Sequence, residues 1–120
     1  PQAQKAHEAA RCAGELGGNE AYWQMHDLLF ANQEAWGSAE VPQHVAVLKQ
    51  LANEAGLPTS DFADCLDSGR YEEAVNAELN EGIELGVRGT PAFFINGNFV
   101  NGAQPFSVFQ QAIEQLLREQ

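Results

Sequence analysis

The sequence predicts an α/β-type fold, α+β in the part given: a run of helices, then one β-hairpin, then a closing helix. Three observations predict it. From Gln2 to Leu85 apolar residues recur three and four apart, the spacing of helices buried on one side. The period then changes around Asn96-Gly97 in "AFFINGNFV", a strong two-residue hairpin signal, because both turn residues need a positive φ. Finally, Ala92, Phe93, Phe94 and Ile95 are all apolar, which calls for cover on both faces of that strand, as in a sheet flanked by helices.

Each element can be justified in order. Ala6, Ala9, Ala10, Ala13 and Leu16 form the small-residue face of a first helix, and Gly17-Gly18 ends it. Asn19 is a fitting N-cap for a second helix, in which Tyr22, Met25, Leu28 and Leu29 share a face and Trp23 and Phe30 lie on the adjoining one. The stretch "EAWGSAEVP" reads as a loop, with Trp36 either capping the core or rimming a groove. It leads to "QHVAVLKQLANEAG", whose Val45, Leu48, Leu51 and Ala52 form the buried stripe and whose Gly56 is the stop. Thr59 or Ser60 can cap a short helix with Phe62, Cys65 and Leu66 on one face. From Arg70 to Leu85 a longer helix aligns Tyr71, Val75, Leu79 and Ile83, and Gly86 ends it. After the hairpin, Pro105 opens a last helix with Phe106, Phe109, Ile113, Leu116 and Leu117 toward the core. The whole is one domain, with residues 1–86 as a helical region and 87–120 as a ββα segment.

Composition narrows the function classes. The 120 residues allow one modest core, and 44% hydrophobic residues with two Trp and seven Phe argue for a packed globule. Six Lys and Arg against a net charge of −11 argue against nucleic acid or an anionic membrane surface as partner. No apolar run approaches the ~20 residues of a membrane span. Cys12 and Cys65 form neither a C-x-x-C pair nor a metal-ligand spacing. Two buried thiols and a structural disulfide both fit them, the latter contributing ~4 kcal/mol by closing a loop of roughly fifty residues.

A two-stranded hairpin is marginal alone, and a strand apolar on both faces has neighbours missing from the sequence. With the start at Pro1-Gln2 and no initiating Met, a segment of a longer protein is the expectation. "AARCAGELG", "YWQMHDLLFANQ", "LANEAGL", "FADCLDSGRY" and, above all, "GVRGTPAFFINGNFVNGAQPFSVF" resemble the DsbA-like thiol:disulfide oxidoreductases. The resemblance runs through essentially all 120 residues. It implies the thioredoxin-like fold with a helical insertion of about five helices, the N-terminal β-α-β unit being absent from this chain.

The resemblance also implies roles. Pro91 matches the family's cis-proline, and Gly89, Thr90 and Pro91 form the loop that faces the redox-active C-x-x-C across the substrate groove. A proline at a strand's first position leaves the backbone of Thr90 free to pair with an extended peptide. Thr90 itself matches the variable residue that tunes redox behaviour and substrate release. The family's catalytic C-x-x-C lies in the unit that precedes this segment, so no catalytic residue is expected within residues 1–120, and the chain alone should be inactive. Because some members carry a second, non-catalytic disulfide in the helical region, the resemblance favours a structural Cys12–Cys65 bond and a periplasmic or other extracytoplasmic location in a bacterium. Expected partners are cysteine-containing polypeptides and a redox partner protein. An exposed half-sheet would add self-association.

Other constellations carry less. His7-Glu8 starts a zinc-like H-E-x-x-H, but Arg11 stands at the second ligand position, so no metal is expected, nor any other cofactor. His26 next to Asp27 reads as a helix-surface or packing residue, since neighbours on a helix do not face each other. His44 has no evident partner, and "YEEAVNAELNEGIE" reads as a solvated helix face. Two further functions remain open. One is a redox-inactive peptide-binding module working at the Thr90-Pro91 edge. The other is a relative of the kappa-type glutathione-using isomerases and transferases, which usually place Val before the cis-proline where this chain has Thr90.

Overall fold

The computed structural model describes residues 2–38 and 40–120; Pro1, at the expected helical start, and Ala39, within the expected loop, lie outside the described residues. The elements run α1 (Gln2–Ala31), α2 (Gln33–Gly37), α3 (Val41–Glu54), α4 (Thr59–Asp67), α5 (Glu72–Glu84), β1 (Ala92–Ile95), β2 (Asn98–Asn101) and α6 (Phe106–Arg118). This is the α+β order the sequence predicts. The chain forms two compact units, 1–78 and 79–120, dividing inside α5. The sequence boundary at 86/87 marks where the hydrophobic period changes, a different criterion from compactness.

The first unit contains the core. Its alanine face, Ala6, Ala9, Ala10 and Ala13, is buried with Cys12, and the small side chains let neighbouring helices approach closely. α1 is two helices joined at Gly18, whose φ of 75° and ψ of −165° break the helical path where the sequence places a stop. Beyond the break Ala21, Met25 and Leu29 are buried, and Leu48, Leu51 and Ala52 of α3 and Phe62, Cys65 and Leu66 of α4 complete the core. The expected stripe on α3 thus holds, with Val45 at its margin.

Polar contacts tie the same helices. Glu8, only 1% exposed, accepts hydrogen bonds from Lys5 Nζ at 3.0 Å and Gln4 Nε2 at 3.2 Å. Lys5 Nζ also donates to the Leu66 carbonyl at 2.9 Å, so one ammonium compensates a buried carboxylate and closes the end of α4. Arg11 pairs with Glu78, so part of the acidic face of α5 is bonded rather than merely solvated, and Arg70 pairs with Glu15 of α1. The Tyr71 hydroxyl donates to Glu15 Oε1 at 3.0 Å, and that bond with the carboxylate raises the phenol above its ordinary range.

Four local expectations need correction. The loop "EAWGSAEVP" begins with a helical turn, α2, because the Trp36 indole N–H reaches back to the Leu29 carbonyl at 2.7 Å and Trp36 packs half-buried on the core. α4 starts at Thr59 with Pro58 before it, and no side-chain oxygen caps it; Thr59 Oγ1 lies 3.4 Å from Asn53 Oδ1 instead. On α5 only Val75 is buried, and Leu79 and Ile83 are exposed.

The fourth correction concerns the second unit. β1 and β2 pair antiparallel with Phe94 opposite Phe99 and Phe93 opposite Val100. Asn96 at φ 49° and Gly97 at φ 82° make the turn, as the dipeptide predicts. Phe93 meets Phe109 of α6 edge-on at 4.9 Å, so a helix touches one face of the hairpin. The other face is open: Phe94 and Phe99, with ring centroids 5.2 Å apart, are 45% and 43% exposed. Cover on both faces is therefore absent among the described residues. Phe106, Ile113 and Leu117 are exposed as well, and only Phe109 and Leu116 of the expected core face are half-buried. The two described strands offer α6 too little surface for its whole apolar stripe, so residues in its middle as well as at its ends stay exposed.

Candidate functional site

The segment that reaches the site begins where α5 stops. Gly86, at φ 91°, ends the helix with its N–H bonded to the Ile83 carbonyl at 3.0 Å and the Val87 N–H bonded to the Gly82 carbonyl at 2.9 Å. This paired closure satisfies carbonyls that the last turn would leave open, and a glycine is the residue that takes the left-handed conformation it needs. The chain leaves the helix there and runs through Arg88, Gly89 and Thr90 to Pro91.

Gly89, Thr90 and Pro91 are all exposed, and the Thr90–Pro91 peptide bond is cis. Pro91 immediately precedes β1, and its carbonyl accepts the Gly102 N–H at 2.9 Å, which ties the loop to the far end of the hairpin. Among the described residues the main-chain N–H and C=O of Thr90 have no main-chain partner. The sheet has two strands, so among the described residues β1 pairs along one edge only. Water is the default partner of such groups, and an extended polypeptide is the alternative that satisfies donors and acceptors in sequence.

The cysteines belong to the first unit. Cys12 on α1 and Cys65 on α4 are fully buried, with Cα atoms 6.0 Å apart and sulfurs 2.09 Å apart in a disulfide. No free cysteine remains among the described residues. Within residues 1–120 there is accordingly no thiolate to act as a nucleophile.

The histidines give two results that sequence reasoning missed. His44 is 1% exposed; its Nδ1–H donates to the Trp36 carbonyl at 3.0 Å, while its Nε2 is buried without a hydrogen bond among the described residues. Burial, opposed by that hydrogen bond and reinforced by Lys5, lowers its pKa from the ordinary 6.5. Nothing in "PQHVAVL" signals a buried imidazole, because a histidine beside a helix start usually faces water. His26 does touch its neighbour: Nδ1 lies 3.1 Å from Asp27 Oδ1. Its ring also sits between Trp23, at 5.0 Å, and Phe30, at 4.9 Å. The three- and four-residue spacing of those rings was the available signal. Around His7 no group of three or more His, Cys, Asp or Glu suited to a metal forms among the described residues.

Comparison with known proteins adds the family. Residues 2–114 match the family model described as a DSBA-like thioredoxin domain. Among curated proteins, the chain is 33% identical over 114 residues to Na(+)/H(+) antiporter NhaA 3 of Salinispora tropica and 35% identical over 114 residues to Na(+)/H(+) antiporter NhaA 1 of Salinispora arenicola. Each match covers 94% of this chain and 16% of the antiporter. It is 26% identical over 112 residues to a protein of Rickettsia felis named "Putative protein-disulfide oxidoreductase", covering 92% of this chain and 38% of that protein. The chain thus spans well under half the length of these relatives. No solved structure matches it. By its match over nearly its whole length, the chain belongs to the DSBA-like thioredoxin domain family.

Proposed function

We propose that this chain is the substrate-facing part of a thiol:disulfide oxidoreductase that acts on exported polypeptides, with Gly89, Thr90 and Pro91 as the edge on which an extended substrate lies. The observation that carries the reading is the exposed Thr90 backbone, with no main-chain partner among the described residues, at the entrance of a strand with an open edge. Family membership supplies the reaction class. The redox cysteines are contributed from outside residues 1–120, because the two present here are consumed by each other. The buried Cys12–Cys65 bond is structural in this reading, and it suits an oxidising, extracytoplasmic compartment. No described helix is long and apolar enough to cross a membrane.

The test is backbone NMR of the 120-residue chain titrated with an extended, cysteine-containing peptide. Amide shifts centred on Gly89, Thr90 and Ala92 support the reading, and shifts confined to the helical unit overturn it. A second assay, reduction of a disulfide substrate by dithiothreitol, should show no acceleration by the chain alone. Acceleration would mean that Cys12 and Cys65 turn over.

The same open edge supports self-association. From Leu85 to Ile113 Arg88 is the sole charged residue in a chain of net charge −11, so the hairpin faces carry almost none of the repulsion that keeps acidic surfaces apart. Pairing of β1 with a second copy would join its unpaired edge, and stacking of two hairpins face to face would cover Phe94 and Phe99.

A further inference from the structure

The helical unit holds a cleft of about 390 Å³ bounded by α1 and α2, within the size range of small-molecule sites. We propose that it binds a small, flat aromatic compound carrying a hydroxyl group, of the phenol or naphthol class. This inference is independent of the Thr90 edge.

The shape comes from residue size. Ala3, Ala6 and Ala10 stand three and four apart on one face of α1, and their methyl groups form a shallow floor. Tyr22, Phe30 and Trp36 line the cleft as well, so the space is a slot bordered by aromatic rings, which favour stacking a planar guest. Trp36 is anchored by the bond of its indole N–H to the Leu29 carbonyl, and it does not need to reorganise on binding.

The polar groups select the substituent. His7, His26 and Gln33 are among the lining residues, and no Asp or Glu is, in a chain with 17 of them. No carboxylate there is available to pair with a cation. His26 is oriented from three sides: Trp23 and Phe30 flank its ring, and Asp27 takes Nδ1. A carboxylate accepts, so in the neutral ring Nδ1 carries the hydrogen and Nε2 is left as an acceptor. His26 is one of the residues lining the largely apolar cleft; its acceptor suits an O–H donor and the rings suit a flat guest, and a phenolic hydroxyl on a planar ring meets both demands.

The probe is naphthol, with methoxynaphthalene as the control that keeps the ring and removes the donor. Titration of the 120-residue chain followed by backbone NMR should give saturable shifts on α1 and α2. Methoxynaphthalene should bind about tenfold more weakly, the loss expected for one hydrogen bond. His26→Phe, which keeps the ring between Trp23 and Phe30, should reduce naphthol binding by about the same factor and leave methoxynaphthalene unchanged. Ala3→Leu, at an exposed helical position, should weaken both by filling the slot. The proposal is overturned if naphthol and methoxynaphthalene bind equally, if shifts do not saturate, or if they fall on Phe94 and Phe99 of the hairpin.

Discussion

His44 donates its Nδ1–H to the carbonyl of Trp36 across 3.0 Å, and through that bond α3 holds the turn of helix that precedes it. The other ring nitrogen is buried with no hydrogen bond among the described residues, so a proton added there would sit in a pocket that cannot solvate it.

A pH dependence results. Burial lowers the pKa of His44 in the folded chain below the 6.5 of the unfolded one, so the unfolded state takes up the proton first. Stability should be constant above about pH 7.5 and fall as pH drops through 6.5 toward the lower folded value. Urea midpoints at pH 8.0, 6.5 and 5.5, all roughly above the carboxylate range, would show it. His44→Leu should be less stable at pH 8 for want of its hydrogen bond, yet should have a flatter profile. An equal slope in that variant would put the effect elsewhere.

The Cys12–Cys65 bond closes a chain separation of 53 residues, and in the chain-entropy model such a closure contributes about 4 kcal/mol. The double variant Cys12→Ser, Cys65→Ser, or the reduced chain, should unfold at a lower urea concentration by that free energy. A midpoint that does not move on reduction would mean that the cross-link adds no net stability.

Gly17 is constrained by close approach. A Cβ there would stand 2.5 Å from the Cβ of Ala21 and 3.1 Å from Cδ2 of Leu57. Gly17→Ala should therefore destabilise by about 1–3 kcal/mol although alanine is the better helix former, with the loss measured by thermal unfolding. A gain in stability would show that the bend at Gly18 relaxes to admit the methyl group.

The open hairpin face makes a prediction about mass. Light scattering should show the average mass of the chain rising with concentration, and Phe94→Lys should lower it by placing a charge on the exposed face. A monodisperse monomer at high concentration for the unaltered chain would count against the self-association proposed above.

Much of this architecture was legible in the residues, for identifiable reasons. Period, stop glycines and the Asn96-Gly97 turn are local signals, and they located every long helix and the hairpin. The alanine face of α1 was readable because small residues at helical spacing have one obvious use. The misses depend on contacts between segments. Trp36 winds the loop into α2 through a carbonyl seven residues back, and Glu8 is buried because Lys5 and Gln4 satisfy it. The missing sheet neighbours were legible from the doubly apolar strand, but which of Ile113 and Leu117 would be exposed was not, because an apolar stripe does not state how much surface it has to rest on. At the candidate site, "RGTPAFFING" marked the loop from its proline and its turn, whereas the cysteine pairing came from family likeness and not from spacing.

With both sulfurs of the first unit locked together in the core, the chain offers no free thiol to alkylating reagents in its folded, oxidised form. Any maleimide or iodoacetamide adduct formed on an intact protein that contains this segment would have to come from another part of that protein. A single cysteine placed at an exposed position such as Thr90 would then be a unique attachment point for a fluorophore or a cross-linker. The disulfide thereby provides a thiol-free background on which one introduced cysteine can be read without interference.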